Sequence, residues 1–377
     1  MSRIVFAVLL LQHFEVISDC GGPLAAPVKD APASQLAMGG GFGCAVDDGA
    51  VRCWGENTLG QLGRGTTSAF ETGEAAVRLD EQVAQLAVGQ TSACARTVTG
   101  RVWCWGDNAN SQLGRADPAI SAAPLEVNVP VPVAKLALHS DFALALGSDG
   151  RLFGWGNDSE GTLGRSDENP KVWPVPKPVL RAAFDHRFKD VSAGQGHACG
   201  VDLAGVLWCW GRNTAQELGT PSTEHQHRAP IEVLRGVSAV VAGAFSTCAV
   251  RGTELLCWGD TPIDELGQVI KSTSPLAVDL GGAAVRSVDQ QWFHTCAVTT
   301  ADQLFCWGRG AEGQLGLGDN TAHATPQLVT SGVGSVATGF FFTCLRRTDG
   351  TVSCMGANEA AQLGLGDTQR RAVPTPQ

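Results

Sequence analysis

Three kinds of residue in this chain could do chemistry by type and spacing: cysteines, histidines and glycine-rich loops. Twelve of its 13 cysteines fall into six pairs: Cys44 with Cys53, Cys94 with Cys104, Cys199 with Cys209, Cys248 with Cys257, Cys296 with Cys306, and Cys344 with Cys354. Zinc sites space their cysteines two to four apart, so these pairs do not suit a metal. Between the members of each pair lies a turn, such as residues 47–51 or 97–101, flanked by alternating residues, which predicts a β-hairpin. Residues facing each other across a hairpin sit about 4.5–5.5 Å apart, within reach of a disulfide. The two positions also change together: one copy of the pattern carries Leu144 and Gly154 instead. Disulfide partners would be lost jointly, whereas independent buried thiols would not. Six disulfides imply an oxidising compartment.

The other candidates carry less. His225 and His227 could ligate a metal, but they lie in a polar loop with no obvious third ligand. His197 and His294 each stand two residues before a cysteine, where other copies have Phe42, Ser92, Phe142, Ser246 and Phe342. Such variation points to packing. Residues 308–313, GRGAEG, match the dinucleotide fingerprint, yet no helical pattern follows and the equivalent loops lack it. The expectation is therefore no catalytic residue, no metal, no cofactor and no enzymatic activity.

The elements that hold the cysteines are repeats. The phrase CWGENTLGQLGRG, residues 53–65, returns six more times without a gap. Its third position is glycine in all seven copies, and a Leu-Gly pair follows seven residues later, at Leu62, Leu113, Leu163, Leu218, Leu266, Leu315 and Leu363. These leucines recur every 48 to 55 residues. A ligand loop is needed once; a turn that builds a module is needed once per module. Each repeat holds four short strand-like runs, as in residues 83–89, 92–98, 101–106 and 124–129. Four strands in each of seven repeats predict an all-β chain, a seven-bladed β-propeller of four-stranded antiparallel blades. Trp54, Trp105, Trp155, Trp210, Trp258 and Trp307 are expected as wedges between blades, with Met355 in the seventh place.

The phrase W-G-x-N-x-x-G-Q-L-G-x-G, after a run of the form V-x-x-L-A-x-G-x-x-H-x-C-A-V, resembles the regulator of chromosome condensation propeller family. The resemblance covers residues 35–377. It implies the propeller fold. Eukaryotic relatives act as nucleotide exchange factors for a small GTPase and bind chromatin, and a bacterial relative is an exported inhibitor of β-lactamases. An exported, acidic, cysteine-paired chain is closer to the second.

The chain ends complete the expectations. Residues 1–20 read as a signal peptide of the lipoprotein type, with Arg3, an apolar run over residues 4–11, and Cys20 as the lipidation site. The alternatives are a plain signal cut elsewhere and a mis-assigned start. Residues 21–34 read as a linker and closing strand. Pro374 aligns with Pro326, where a fourth strand is expected to begin, which leaves the seventh blade short of its outer strand. Residues 23–28, PLAAPV, are expected to complete that last blade and close the ring.

A net charge of −10, without a basic stripe, argues against a nucleic-acid partner. No segment beyond the first dozen residues is apolar enough to span a membrane, so a lipid anchor is the one expected membrane link. A monomer bound to a protein partner is the expected state. The contact is expected at the turn between each repeat's first two strands. Four repeats place polar residues or glycine there, including Gln90, Thr91, Ser140, Asp141 and Gln195. Repeats five to seven place Phe245, Trp292, Phe293, Phe340 and Phe341 there. These five are expected to form an aromatic partner-binding arc beside a polar rim. The function expected is an exported protein–protein interaction module, an inhibitor or a cell-surface scaffold. The alternatives are a propeller enzyme acting on envelope polysaccharide and a guanine-nucleotide exchange factor. Two or more carboxylates pointing into the channel would favour the enzyme.

Overall fold

The computed structural model describes residue 30 and residues 34–165, 171–179, 186–263 and 269–377. Every regular element among them is a strand. The strands form seven four-stranded antiparallel sheets, each a meander of consecutive strands. The first blade runs Gln35–Met38, Phe42–Asp47, Ala50–Asn57 and Ser68–Val77. The seventh runs Val333–Thr338, Phe342–Arg347, Val352–Gly356 and Arg371–Pro376.

The second strand of each blade is pressed between neighbours on both faces. Ser92–Thr97, His197–Asp202 and His294–Thr299 are buried at every residue. Small and β-branched side chains fit such a two-sided surface, which is why these strands show little alternation. All six expected disulfides are formed. Cys44 is bonded to Cys53, Cys94 to Cys104 and Cys199 to Cys209. Cys248 is bonded to Cys257, Cys296 to Cys306 and Cys344 to Cys354. In each bridge the two residues are direct partners across strands two and three, with Cα atoms 4.1–4.2 Å apart. In blade three Leu144 pairs with Gly154 at the same register. A Cβ on Gly154 would lie 2.8 Å from Leu163 Cδ2 and 3.0 Å from Leu144 Cδ2. Leu144 thus fills the volume a disulfide takes elsewhere and requires a glycine opposite.

The core lies between blades. Leu62 of the first blade clusters with Trp105 of the second, Leu113 with Trp155, Leu163 with Trp210, and Leu218 with Trp258. Leu266, the equivalent in blade five, lies outside the described residues. Each of these wedges also makes one directed contact. The indole Nε1 of Trp105, Trp155, Trp210 and Trp258 donates, at 2.8–2.9 Å, to the carbonyl just before the preceding blade's Leu-Gly pair. Trp54 does the same to Gln362 O across the junction between the first and last blades.

One expectation is corrected here. Blade seven has its own outer strand, Arg371–Pro376, paired to Val352–Gly356. The place assigned to PLAAPV is filled, and residues 23–28 lie outside the described residues, as does Cys20. The strand begins three residues before the proline, as it does in blade six, where His323 precedes Pro326. Proline lacks an N–H and is accepted on the outermost strand, whose free edge faces solvent. The prolines mark the interior of an edge strand, not its start. The ring closes by side-chain packing of blade one against blade seven: Leu36, Met38 and Trp54 cluster with Phe342 and Leu363.

Candidate interaction face

Antiparallel order places the turn between strands one and two and the glycine turn after strand three at the same end of every blade. The two are joined by backbone. In all seven blades the residue after the Trp-Gly (Met-Gly in blade seven) donates its N–H to the last residue of the first turn: Glu56 to Gly41, Asp107 to Thr91, Asn157 to Asp141, Arg212 to Gly196, Asp260 to Phe245, Arg309 to Phe293, Ala357 to Phe341. The glycine itself has φ of 95–111° in every copy. A Cβ there would come no farther than 2.7 Å from that same turn carbonyl. The repeated glycine is therefore needed because it lets the loop backbone dock, and docking fixes the face.

On this face the structure brings the five aromatic residues into one chain of ring contacts. Phe245 stacks on Phe293 at 5.5 Å between centroids and meets Trp292 edge-on at 5.8 Å. Trp292 lies 5.6 Å from Phe293 and 4.9 Å from Phe340, which stands 6.4 Å from Phe341. All five are half-buried, neither core nor fully exposed. Arginines cap the arc. The Arg212 guanidinium lies 5.0 Å above Phe245 and that of Arg309 lies 5.1 Å above Phe341. Arg212 is held by buried Glu217, 2.7 Å away, and by the carbonyl of Ala244 at 2.6 Å. Trp292 is unusual twice over. Its φ is +35°, and its indole Nε1 is shielded from solvent without a hydrogen-bond partner. Each is a cost that packing must offset.

The polar residues of blades two to four line a groove of about 520 Å³ on the same face. Gln90, Thr91, Ser140, Asp141 and Gln195 are all in its wall, as the repeat positions predicted, joined by Asp107 and Glu160. Burial, with the nearby charges of Asp107 and Glu160, holds the Asp141 carboxyl above the usual range, against a hydrogen bond from Asn157.

Between arc and groove lies the mouth of the central channel. The position before the turn is glycine in five blades, Gly39, Gly89, Gly194, Gly243 and Gly339. The two exceptions, His139 and Gln291, meet across the mouth, 3.0 Å from His Nε2 to Gln Oε1. The amide oxygen can only accept, so His139 carries its proton on Nε2. Burial lowers its pKa to about 4.

Below the mouth, the channel encloses about 340 Å³ between the first strands of the blades. Their free edges are satisfied from the neighbouring blade. Gln35 exchanges two hydrogen bonds with Leu86, and Gln85 does the same with Leu136. Asp190 pairs with Lys135 and accepts from Val240 N at 3.1 Å; Asp289 accepts from Thr338 N at 2.6 Å. Among the described residues, Asp190 and Asp289 thus each link their own blade to a neighbouring one.

His197 and His294 are buried between blades, with Nε2 at 2.8 Å from Thr247 Oγ1 and 2.9 Å from Thr343 Oγ1. Each threonine hydroxyl donates onward to a carbonyl, of Glu217 and Gln314 respectively, so each histidine is the donor through Nε2. These relays were not legible in the repeat, because the threonines stand one residue before the cysteines and read only as strand formers. His227 bonds Ser222 Oγ at 3.0 Å and lies 3.4 Å from Glu224.

Comparison with known proteins places this geometry. A model of the RCC1-like domain matches residues 19–343, and one of the RCC1 repeat matches residues 334–362. The ultraviolet-B receptor UVR8 of Arabidopsis thaliana is 30% identical over 288 residues, 74% of this chain. The match spans 65% of that receptor's length, under two thirds. Among solved structures, Prp20p of Saccharomyces cerevisiae, described with its binding to Gsp1p and histones, has a TM-score of 0.78 at 21% identity, over 93% of this chain and 87% of its own. Human WBSCR16 has a TM-score of 0.72 at 20% identity, over 82% and 85%. The chain belongs to the RCC1-like domain family.

Proposed function

We propose that this chain is an exported protein-interaction module, an inhibitor or surface scaffold, that receives a partner protein on the aromatic arc of blades five to seven. The observation that carries this reading is the arc itself: five half-buried aromatics in continuous ring contact, at positions where other blades of the same fold hold small or polar residues. The backbone does not need aromatics there, and clustered aromatics dominate the energy of protein interfaces. Protein binding also suits an RCC1-like propeller. Six disulfides support export to an oxidising compartment.

The described chain starts at the opposite end of the disc from the arc. Asp30 N donates to Val98 O, and its carboxylate pairs with Arg96, near the hairpin turn of blade two. Cys20 is ten residues upstream in sequence. A lipid anchor on Cys20 would tether the propeller to the membrane surface.

The test compares the wild type with Trp292→Ala and Phe341→Ala in quantitative pull-downs from the envelope fraction. A partner should bind each variant more weakly by about 2 kcal/mol or more while the melting temperature holds. Collapse of the fold in both variants, or an unchanged set of captured proteins, would overturn the reading.

A further inference from the structure

The groove of blades two to four shares its border with the arc: Arg212 stands in the groove wall and over the Phe245 ring. Its polar atoms are unbalanced. Asp107, Asp141 and Glu160 face the groove, and Arg212 is the one cation in its described lining. That guanidinium is already engaged by Glu217 and Ala244 O. What the groove lacks is uncommitted positive charge.

We propose that this groove seats an arginine or lysine side chain of the partner that covers the arc, so that the partner's contact segment pairs an apolar anchor with a cation. This rests on the arc reading. The cation would lie against Asp141 and Glu160, whose carboxylates would accept its N–H groups. An acidic segment drawn to the two arginines fits less well. Arg212 is spent on Glu217, and Arg309 lies 3.7 Å from Glu312 and over Phe341. The chain's net charge of −10 also favours a basic partner at long range.

The probe is a random 12-residue peptide library, selected on the intact, disulfide-bonded protein. Enriched peptides should combine an aromatic or large aliphatic residue with arginine or lysine at a fixed spacing. Their affinity should fall about tenfold or more in Asp141→Asn with Glu160→Gln, and should weaken with added salt. Glu160 is exposed, so the single Glu160→Gln variant should melt as the wild type does and still lose part of the affinity. Peptides that need Trp292 but carry no basic residue and ignore Asp141 and Glu160 would overturn the groove and leave the arc standing. Peptides indifferent to Trp292→Ala would overturn the arc, and with it the pairing proposed here. A library that yields no enrichment overturns both.

Discussion

Trp54 and Trp292 stand in opposite circumstances. Trp54 is fully buried, and its Nε1 donates to Gln362 O at 2.9 Å. Trp292 is half-buried, with an orphaned N–H and a left-handed backbone. Changing Trp54 to Phe leaves a buried carbonyl unpaired and should cost about 1–3 kcal/mol. Changing Trp292 to Phe removes an unpaired donor and keeps most of the ring contacts, so its melting temperature should equal or exceed the parent's. Thermal melts followed by circular dichroism under non-reducing conditions decide this; equal losses in both variants would make Trp292 a core wedge. The seventh repeat shows how a lost indole is compensated. Met355 has no donor, and Gln314 O accepts from Thr343 Oγ1 at 2.9 Å. In blade five both donors are present, and Glu217 O accepts from Trp258 and Thr247 together.

At the scale of the element, blade three isolates what a disulfide contributes. Leu144 and Gly154 keep the register that the cysteines hold elsewhere. Gly154→Ala would place a methyl 2.8 Å from Leu163 and Val179, and overpacking of this kind should cost about 1–3 kcal/mol. Leu144→Cys with Gly154→Cys should instead form a seventh disulfide, seen as a loss of two protons in the intact mass and no added free thiol. Two free thiols in the folded variant would mean that Leu163 and Val179 leave no room for a side chain at position 154. Blade three also shows why so much of this fold was legible. Strand pairing, cysteine partners and blade number all follow from periodic features, and the repeat reports each one several times over. The features that escaped reading occur in only one or two blades. Arg212 with Glu217 and His139 with Gln291 join residues whose repeat equivalents do something else. The outer strand of blade seven escaped for another reason: a proline inside an edge strand and a proline at its start look alike in sequence. The aromatic arc was legible as a departure from the repeat, since adjacent blades become neighbours on one face.

At the scale of the molecule, the ring buries three histidines, His139, His197 and His294, where water cannot reach them, and this sets its response to acid. Burial lowers the pKa of His139 and of His294 to about 4, and lowers that of His197 well below its usual value. An unfolded chain takes up a proton at each histidine near pH 6.5, whereas the folded chain holds out to about pH 4. Within that window the unfolded state binds more protons, so stability falls as pH falls. Above pH 6.5 both states are neutral, and the histidines contribute nothing. Asp289 works the other way. Burial raises its pKa to about 6, so the folded state gains a proton first and is favoured as pH falls from 6. At pH 5 each of His139 and His294 costs about 2 kcal/mol, against a gain of about 1 kcal/mol at Asp289. The histidines outnumber the carboxyl, so the net effect is loss. Urea unfolding at pH 7, 6 and 5 should show a steady decline in the midpoint. His294→Gln retains a donor for Thr343 and does not titrate, so it should flatten the decline while leaving stability at pH 7 close to the parent's. A midpoint that rose toward pH 5 would show that Asp289 dominates and that the buried histidines are already paired with water or charge.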